Sequence, residues 1–324
     1  MPLRMRKIFI NEYGRLRSGW RLLVFVFAFI AASLLLTTVL RVFYVAVIAI
    51  APQSPTSNFV ADFIFRIALL TAALCAGYLC ARFLEGLPWR SLGLTLHVGW
   101  LRDLVIGSVV GFVSLAVAVG IAAAGNGLEF SINQTSALAV TRSLLGSAAL
   151  LFVAALAEEA MFRGYPLQTL ARAKLALLGV LITSVPFGIV HLTNPNVAPV
   201  TTFTNTVLAG IWLAAAYLKT RSLWLPLGVH WSWNWALGAF FGLPVSGLNL
   251  VTNPLLIATD AGPAWLTGGK YGIEGGVAST VALILSIVFL WWTPWLRATS
   301  ELRKLTSEEN PAIREPVLTI RPVE

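Results

Sequence analysis

The sequence predicts an all-α, polytopic membrane protein with about eight transmembrane helices, and three observations carry this prediction. Only 11% of the 324 residues are charged, 57% are hydrophobic and the mean hydropathy is +0.80, whereas soluble domains carry about 25% charged residues. Apolar runs recur at the length that a bilayer requires, about 20 residues. Basic residues concentrate in every second connection between these runs, as expected for connections on alternating sides of a membrane.

Each apolar run is expected to form one transmembrane helix. The first run follows a basic N-terminal stretch, but it is longer than the roughly 7–15 apolar residues of a signal peptide, so we expect it to remain as a helix. The runs lie near residues 22–48, 61–83, 104–124, 141–162, 175–193, 203–218, 223–242 and 277–296.

The basic residues of the connections predict the orientation of the chain. They are concentrated in the N-terminal tail, after the second, fourth and sixth runs, and in the C-terminal tail. The positive-inside rule therefore places both termini in the cytoplasm. Because the net charge of +9 arises at these flanks, we expect the lipid bilayer as a partner and no nucleic acid.

The eight runs divide the chain into three predicted regions. Residues 1–140 hold helices 1–3, residues 141–242 hold helices 4–7, and residues 243–324 hold an external loop, helix 8 and a cytoplasmic tail. The turn-forming residues of 249–275 favour an exposed loop. The ionisable residues that call for a functional explanation lie in the second region.

Two adjacent acids, Glu158 and Glu159, lie in the apolar stretch "FVAALAEEAMFRGYP". An ionisable residue at the centre of a membrane helix costs about 2.5–3.5 kcal/mol and is usually functional. Arg163 follows Glu159 by four residues, within ion-pairing reach on one helix face, whereas the residue four after Glu158 is Phe162. We expect a neutralised Glu159–Arg163 pair and a Glu158 suited to act as a base; a structural ion-pair cluster is the alternative.

Two of the three histidines also lie in apolar runs. His191 ends "FGIVH" in the fifth run, and "HWSWN" in the seventh run places His230 and Asn234 four residues apart on one helix face. With a turn at Lys174, Glu158 and His191 lie at similar depths, about 24–26 Å from the turn. His230 reaches that depth if residues 163–174 project beyond the membrane or lie along its surface, so one shared site is permitted.

The elements "EEAMFR", "FGIVH" and "HWSWN" resemble, in order, the motifs E-E-x-x-x-R, F-x-x-x-H and H-x-x-x-N of the CPBP family of intramembrane proteases. This family includes the CAAX prenyl endopeptidases of the Ras-converting type and bacterial Abi-like proteins. The resemblance covers residues 141–242 and implies an all-helical protein whose site lies within the membrane and opens toward the cytosol. The compact form of the chain favours a bacterial member, located in the bacterial cytoplasmic (inner) membrane.

The resemblance implies an endopeptidase and gives each motif residue a role. Glu158 is similar to the catalytic glutamate that activates water, and Glu159 and Arg163 match its companion acid and the motif arginine. His191 matches the histidine that acts on the water with this glutamate. The implied substrates are membrane-associated proteins or peptides; the sequence leaves the oligomeric state open.

His230 and Asn234 match the pair that stabilises the oxyanion or, in a metal-dependent reading, binds a metal. Glu158, His191 and His230 would suit a catalytic zinc ion with an open position. The sequence holds no H-E-x-x-H motif. Zinc and no metal at all therefore both remain open at this point.

Two other function classes remain open beside the protease. A transporter or channel would use the buried Glu, His and Arg residues as an ion pathway, but no inverted repeat is visible. A non-catalytic binding protein, such as a bacteriocin-immunity protein, would retain the fold without the reaction. The complete set of polar motif residues argues against that second class.

Overall fold

The computed structural model describes residues 7–48 and 55–306, and the described chain is predominantly helical. Each of the eight apolar runs corresponds to a helix, which confirms the prediction of an all-α polytopic membrane protein. We number the α-helices as α1 (Ser18–Ile48), α2 (Pro55–Glu85), α3 (Trp100–Ala124), α4 (Ala137–Glu159), α5 (Tyr165–Arg172), α6 (Ala176–His191), α7 (Pro199–Thr220), α8 (Trp224–Trp235), α9 (Ala264–Thr267), α10 (Val277–Trp292) and α11 (Ser300–Thr306).

Shorter elements connect these helices. Two π-helical turns follow the predicted site residues, at Ala160–Gly164 and Ala236–Phe240. Three 3₁₀ turns cover Trp89–Leu92, Gly269–Tyr271 and Ile273–Gly275. The N-terminal residues 1–6, the connection 49–54 and the predicted tail beyond residue 306 lie outside the described residues.

Five helical stretches of the described chain are long and apolar enough to cross a bilayer, whereas α6 and α10 are apolar but shorter. The fourth of these stretches runs from Ala137 to Arg172 and is longer than the predicted run 141–162, because α4, the π-helical turn and α5 follow one another directly. The five stretches are Ser18–Ala46, Asn58–Glu85, Trp100–Ala124, Ala137–Arg172 and Pro199–Thr220.

The sequence alone did not predict the small sheet. Strand β1 (Leu128–Ile132) pairs with strand β2 (Leu256–Asp260) in an antiparallel ladder, with Leu128 opposite Asp260. The expectation of an exposed loop over residues 249–275 is wrong in part, because Leu266 and Tyr271 in its second half are buried. Apolar side chains among its turn residues bury that half.

The first compact unit comprises Met1–Leu96, Leu156–Gly179 and Thr299–Glu324. Within its described residues, α1 packs on α2, and α5 packs on both. Its apolar core centres on Phe25 and Tyr165, whose rings stack at 5.6 Å. The whole of α5 is buried within this unit.

The second compact unit comprises His97–Ala155 and Val180–Ala298. Here α3 and α8 lie in close backbone contact, and α10 packs on α3 and α7. A Cβ atom at Gly107 or Gly111 of α3 would overlap main-chain atoms of Leu225 or Val229 of α8, so the close approach requires glycine. A Cβ atom at Gly120 of the same helix, in contrast, would face open space.

Candidate active site

The second unit holds a cavity with an empty volume of about 510 Å³. Three residues predicted from two separate motifs line it together: His191 at the end of α6, and His230 and Asn234 of α8. The helical spacing that placed His230 and Asn234 on one face is therefore confirmed. The other lining residues are Phe187, Asn205, Thr206, Ala209, Trp212, Leu213, Trp233, Ser246, Glu274, Ser279 and Leu283.

His191 is oriented by the last turn of α6. Its Nδ1 atom lies 2.7 Å from the main-chain oxygen of Phe187. Because a carbonyl oxygen only accepts hydrogen bonds, Nδ1 carries the hydrogen, and Nε2 is the acceptor nitrogen of the neutral ring. The Phe187 ring contacts both histidines, with its centroid 4.6 Å from that of His191 and 6.1 Å from that of His230.

Helix α8 presents His230 and Asn234 to the cavity because both of its flanks are held. Trp231 and Trp235 donate from Nε1 to the main-chain oxygens of Ala148 and Leu144 in α4, at 3.0 and 3.1 Å. The glycine contacts with α3 hold the opposite flank. His230 is buried and Asn234 is half-buried, and both line the cavity.

The cavity also contains an acid that the sequence analysis missed. The carboxylate of Glu274 accepts a hydrogen bond from Trp233 Nε1 at 3.0 Å, and from the main-chain N–H and the hydroxyl of Ser246 at 2.6 and 3.1 Å. Glu274 lies in the segment predicted to be an exposed loop. The available signal was a lone acid among glycines, "GIEGG", directly before the last apolar run.

Tyr271, a polar residue of the same segment, is buried and only 1% exposed. Burial, reinforced by the negative charge of Glu274, raises the pKa of the Tyr271 hydroxyl above its usual range. The phenol is therefore neutral at physiological pH and can donate a hydrogen bond.

The first unit contains the remaining predicted site residues, Glu158, Glu159 and Arg163. The predicted ion pair is present: Arg163 Nη1 lies 3.1 Å from Glu159 Oε1, and both side chains are fully buried. Glu158, on the neighbouring helix face, is half-buried. The two acids thus differ in burial, with Glu159 fully buried and Glu158 half-buried.

The chain bends directly after these two acids. Pro166 has no N–H group to donate to the carbonyl of Phe162, so the α-helical ladder cannot continue through it. The interruption is taken up by the π-helical turn Ala160–Gly164 and by a non-helical ψ of −116° at Gly164. Such π-helical turns often occur at functional sites, and "RGYP" is the sequence feature that produces this one.

A second buried charge cluster in the first unit was also missed. Glu85, at the end of α2, contacts Arg172 at 2.8 Å and Arg21 at 2.9 Å, and Thr169 donates to it at 3.0 Å. The three charged side chains are at most 1% exposed. This cluster joins α1, α2 and α5, which places it in the framework of the unit.

The residues of the cavity do not fit the zinc alternative. Across the part of the chain that the structure describes, no three His, Cys, Asp or Glu side chains are grouped so that they could hold a metal ion. Catalytic zinc sites supply three protein ligands and one open position. Glu274, the acid that shares the cavity with His191 and His230, already accepts three hydrogen bonds.

Comparison with known proteins agrees with the motif reading. No curated protein matches the chain to a significant degree. One family model matches, over residues 140–236, which is less than one third of the 324 residues but includes every motif residue named above. The resemblance drawn from the motifs is confirmed over this segment: residues 140–236 match the type II CAAX prenyl endopeptidases described as Rce1-like.

Proposed function

We propose that this integral membrane protein is an intramembrane endopeptidase that hydrolyses peptide bonds of membrane-associated proteins or peptides. At the level of the family, the Rce1-like match supports a CAAX-type membrane protease. The observation that carries the proposal is the common cavity of His191, His230 and Asn234. These residues come from two motifs almost 40 residues apart, and a purely structural role gives no reason for them to meet.

Amide hydrolysis requires a base for water and donors for the developing oxyanion. In the proposed reaction Glu158 accepts a proton from water, with His191 as its partner on that water. The resulting hydroxide attacks the carbonyl carbon, and the oxyanion accepts hydrogen bonds from His230 and Asn234. The proton then passes to the leaving amine as the carbon–nitrogen bond breaks. No step is assigned to a metal, since the donor set does not fit one.

Glu159 and Arg163 have a supporting role in this proposal. Their fully buried pair lies directly beside Glu158 in the chain, where it fixes the helix at the π-helical turn. Both termini in the cytoplasm and a bacterial cytoplasmic membrane remain part of the proposal, and the positive-inside pattern supports the orientation.

The experiment is substrate trapping with Glu158→Gln, read by proteomics of the membrane fraction. Glu129→Gln is the matched control, because Glu129 is an exposed acid of β1. We expect one or more membrane proteins or peptides to be cleaved by the wild type and by Glu129→Gln but to stay intact, and co-purify, with Glu158→Gln. A correctly folded Glu158→Gln protein that cleaves the same products at the wild-type rate would refute the assignment.

A further inference from the structure

Glu274 is a half-buried acid of the cavity that the motifs do not include. It lies 38 residues beyond the end of the family match at residue 236. Its carboxylate links two separate parts of the cavity wall, Trp233 of α8 and the turn at Ser246. We propose that Glu274 is a positioning residue for the proposed reaction, which holds α8 and the Ser246 turn in the geometry that His230 and Asn234 require. This inference rests on the proposed function.

The main chain of Glu274 is itself fixed. Asn205 of α7 donates from Nδ2 to the main-chain oxygens of Glu274 and Gly276, at 2.8 and 2.9 Å. Thr280 of α10 donates to Asn205 Oδ1 at 2.6 Å. Glu274 is thus anchored to α7 and α10, and its carboxylate extends this anchor to α8.

Trp233 connects Glu274 to the two site residues of α8, His230 and Asn234. It directly precedes Asn234 and follows His230 by three residues, so a rotation of the helix at Trp233 would displace both. Its ring also packs edge-on against Trp212, with centroids 5.5 Å apart. Trp212 donates from Nε1 to Ser286 at 2.9 Å. The hydrogen bond to Glu274 is charge-assisted and is therefore the strongest polar contact of this chain of residues.

The Ser246 turn needs the same carboxylate. Ser246 has φ of 50°, in the left-handed region that residues other than glycine seldom adopt. The two hydrogen bonds from Ser246 to one carboxylate oxygen stabilise this conformation. Asn194 Nδ2 also donates a hydrogen bond to the main-chain oxygen of Ser246 at 3.0 Å. This contact links the turn to the segment after His191.

The contacts of the Glu274 side chain require a group that only accepts hydrogen bonds. One oxygen of Glu274 accepts from the indole N–H and the other from the main-chain N–H of Ser246. A glutamine at this position carries one oxygen and one NH₂ group. In either orientation its NH₂ group faces an N–H donor, so one of the two contacts is lost. Glu274→Gln is therefore an almost isosteric change that releases one wall of the cavity.

The test compares Glu274→Gln, Trp233→Phe and the double variant with two matched controls. Asp260→Asn alters another acid of the same segment. Asp260 accepts hydrogen bonds from the main-chain N–H of Gly262 and the hydroxyl of Thr267, and it lies outside the cavity. Trp20→Phe removes an indole N–H that donates to a main-chain oxygen, that of Ile8, but in the first unit and outside the cavity. Each protein is measured for kcat and KM on a substrate found by trapping, and for hydrogen exchange of residues 228–250 in nanodiscs.

We expect Glu274→Gln and Trp233→Phe each to lower kcat by about tenfold to a hundredfold, with KM changed less than about threefold, because displaced donors act on the transition state. The double variant should be no slower than the slower single variant, and exchange near Ser246 should rise in Glu274→Gln. Both controls should keep wild-type kcat. If hydrogen exchange near Ser246 is unchanged in Glu274→Gln, Glu274 does not hold the cavity wall. If exchange rises but kcat stays at the wild-type value, Glu274 does not position residues for the reaction.

The two proposals fail in different ways. If Glu158→Gln cleaves as fast as the wild type, the proposed base is wrong, whereas the exchange data still decide whether Glu274 holds the cavity wall. If Glu158→Gln is inactive and Glu274→Gln retains both wild-type kcat and wild-type exchange, only the present inference is overturned.

Discussion

Arg172 approaches Glu85 with two nitrogens: its Nη2 atom lies 2.8 Å from one carboxylate oxygen and its Nε atom lies 3.0 Å from the other. This two-pronged geometry is the strongest arrangement for an arginine and a carboxylate. Arg21 adds a second cation at 2.9 Å. Glu85 thus lies between two buried cations of the first unit.

Glu85→Ala should therefore destabilise the first unit severely. Removing one partner of a buried ion pair leaves an uncompensated charge and costs about 3–5 kcal/mol; here both Arg21 and Arg172 would lose their acid. We expect little folded protein after detergent extraction, measured as the monodisperse fraction in size-exclusion chromatography and as the melting temperature.

The matched control is Glu301→Ala. Glu301 pairs with Arg90 at 3.0 Å, but the two side chains are 48% and 47% exposed, and exposed pairs contribute at most about 1 kcal/mol. Equal yields and melting temperatures for Glu85→Ala and Glu301→Ala would show that the buried cluster does not hold α1, α2 and α5 together.

Alanine substitutions at two glycines of α3 should change the stability of the protein in opposite directions. A Cβ atom at Gly111 would overlap Val229 and Ser232 of α8, whereas a Cβ atom at Gly120 meets nothing within 4 Å. Gly111→Ala should destabilise the protein by about 1–3 kcal/mol through overpacking. Gly120→Ala should stabilise it by about 0.5–1 kcal/mol, because alanine is the better helix former. Thermal unfolding in one detergent checks both, and a loss of stability in both variants would contradict the placement of Gly120.

The buried pair of Glu159 and Arg163 predicts non-additive effects. Glu159→Gln or Arg163→Met alone removes one partner of this buried ion pair, at a cost of about 3–5 kcal/mol. The double variant removes both charges and should be more stable than either single variant. A double-mutant cycle of unfolding free energies measures the coupling. Additive losses would mean that the two side chains do not stabilise each other despite their 3.1 Å contact.

Local features could be predicted from the sequence. The eight helices follow from apolar length, which is a property of each segment alone. The Glu159–Arg163 pair and the common face of His230 and Asn234 follow from helical spacing. The same reasoning could not separate Gly120 from Gly111, because the spacing of glycines does not tell which helix face meets a neighbour.

Features that depend on distant partners were missed. Glu85 pairs with an arginine 87 residues away, and Glu274 accepts from a tryptophan 41 residues away. No local pattern marks such partners, because tertiary packing creates them. The pairing of β1 with β2 was missed for the same reason, since the two five-residue strands lie more than 120 residues apart.

Asn234 offers the sharpest kinetic test of the proposed reaction. Its side chain lines the cavity together with His230, and in the proposed reaction it donates to the oxyanion. Loss of one oxyanion donor typically lowers kcat by about 10²–10³. Asn234→Asp preserves the shape but replaces the donor with a negative charge that repels the oxyanion. We expect kcat to fall at least as far in Asn234→Asp as in Asn234→Ala, with KM almost unchanged in both, because the donor acts on the transition state. A rise in KM at constant kcat would instead assign Asn234 to substrate binding.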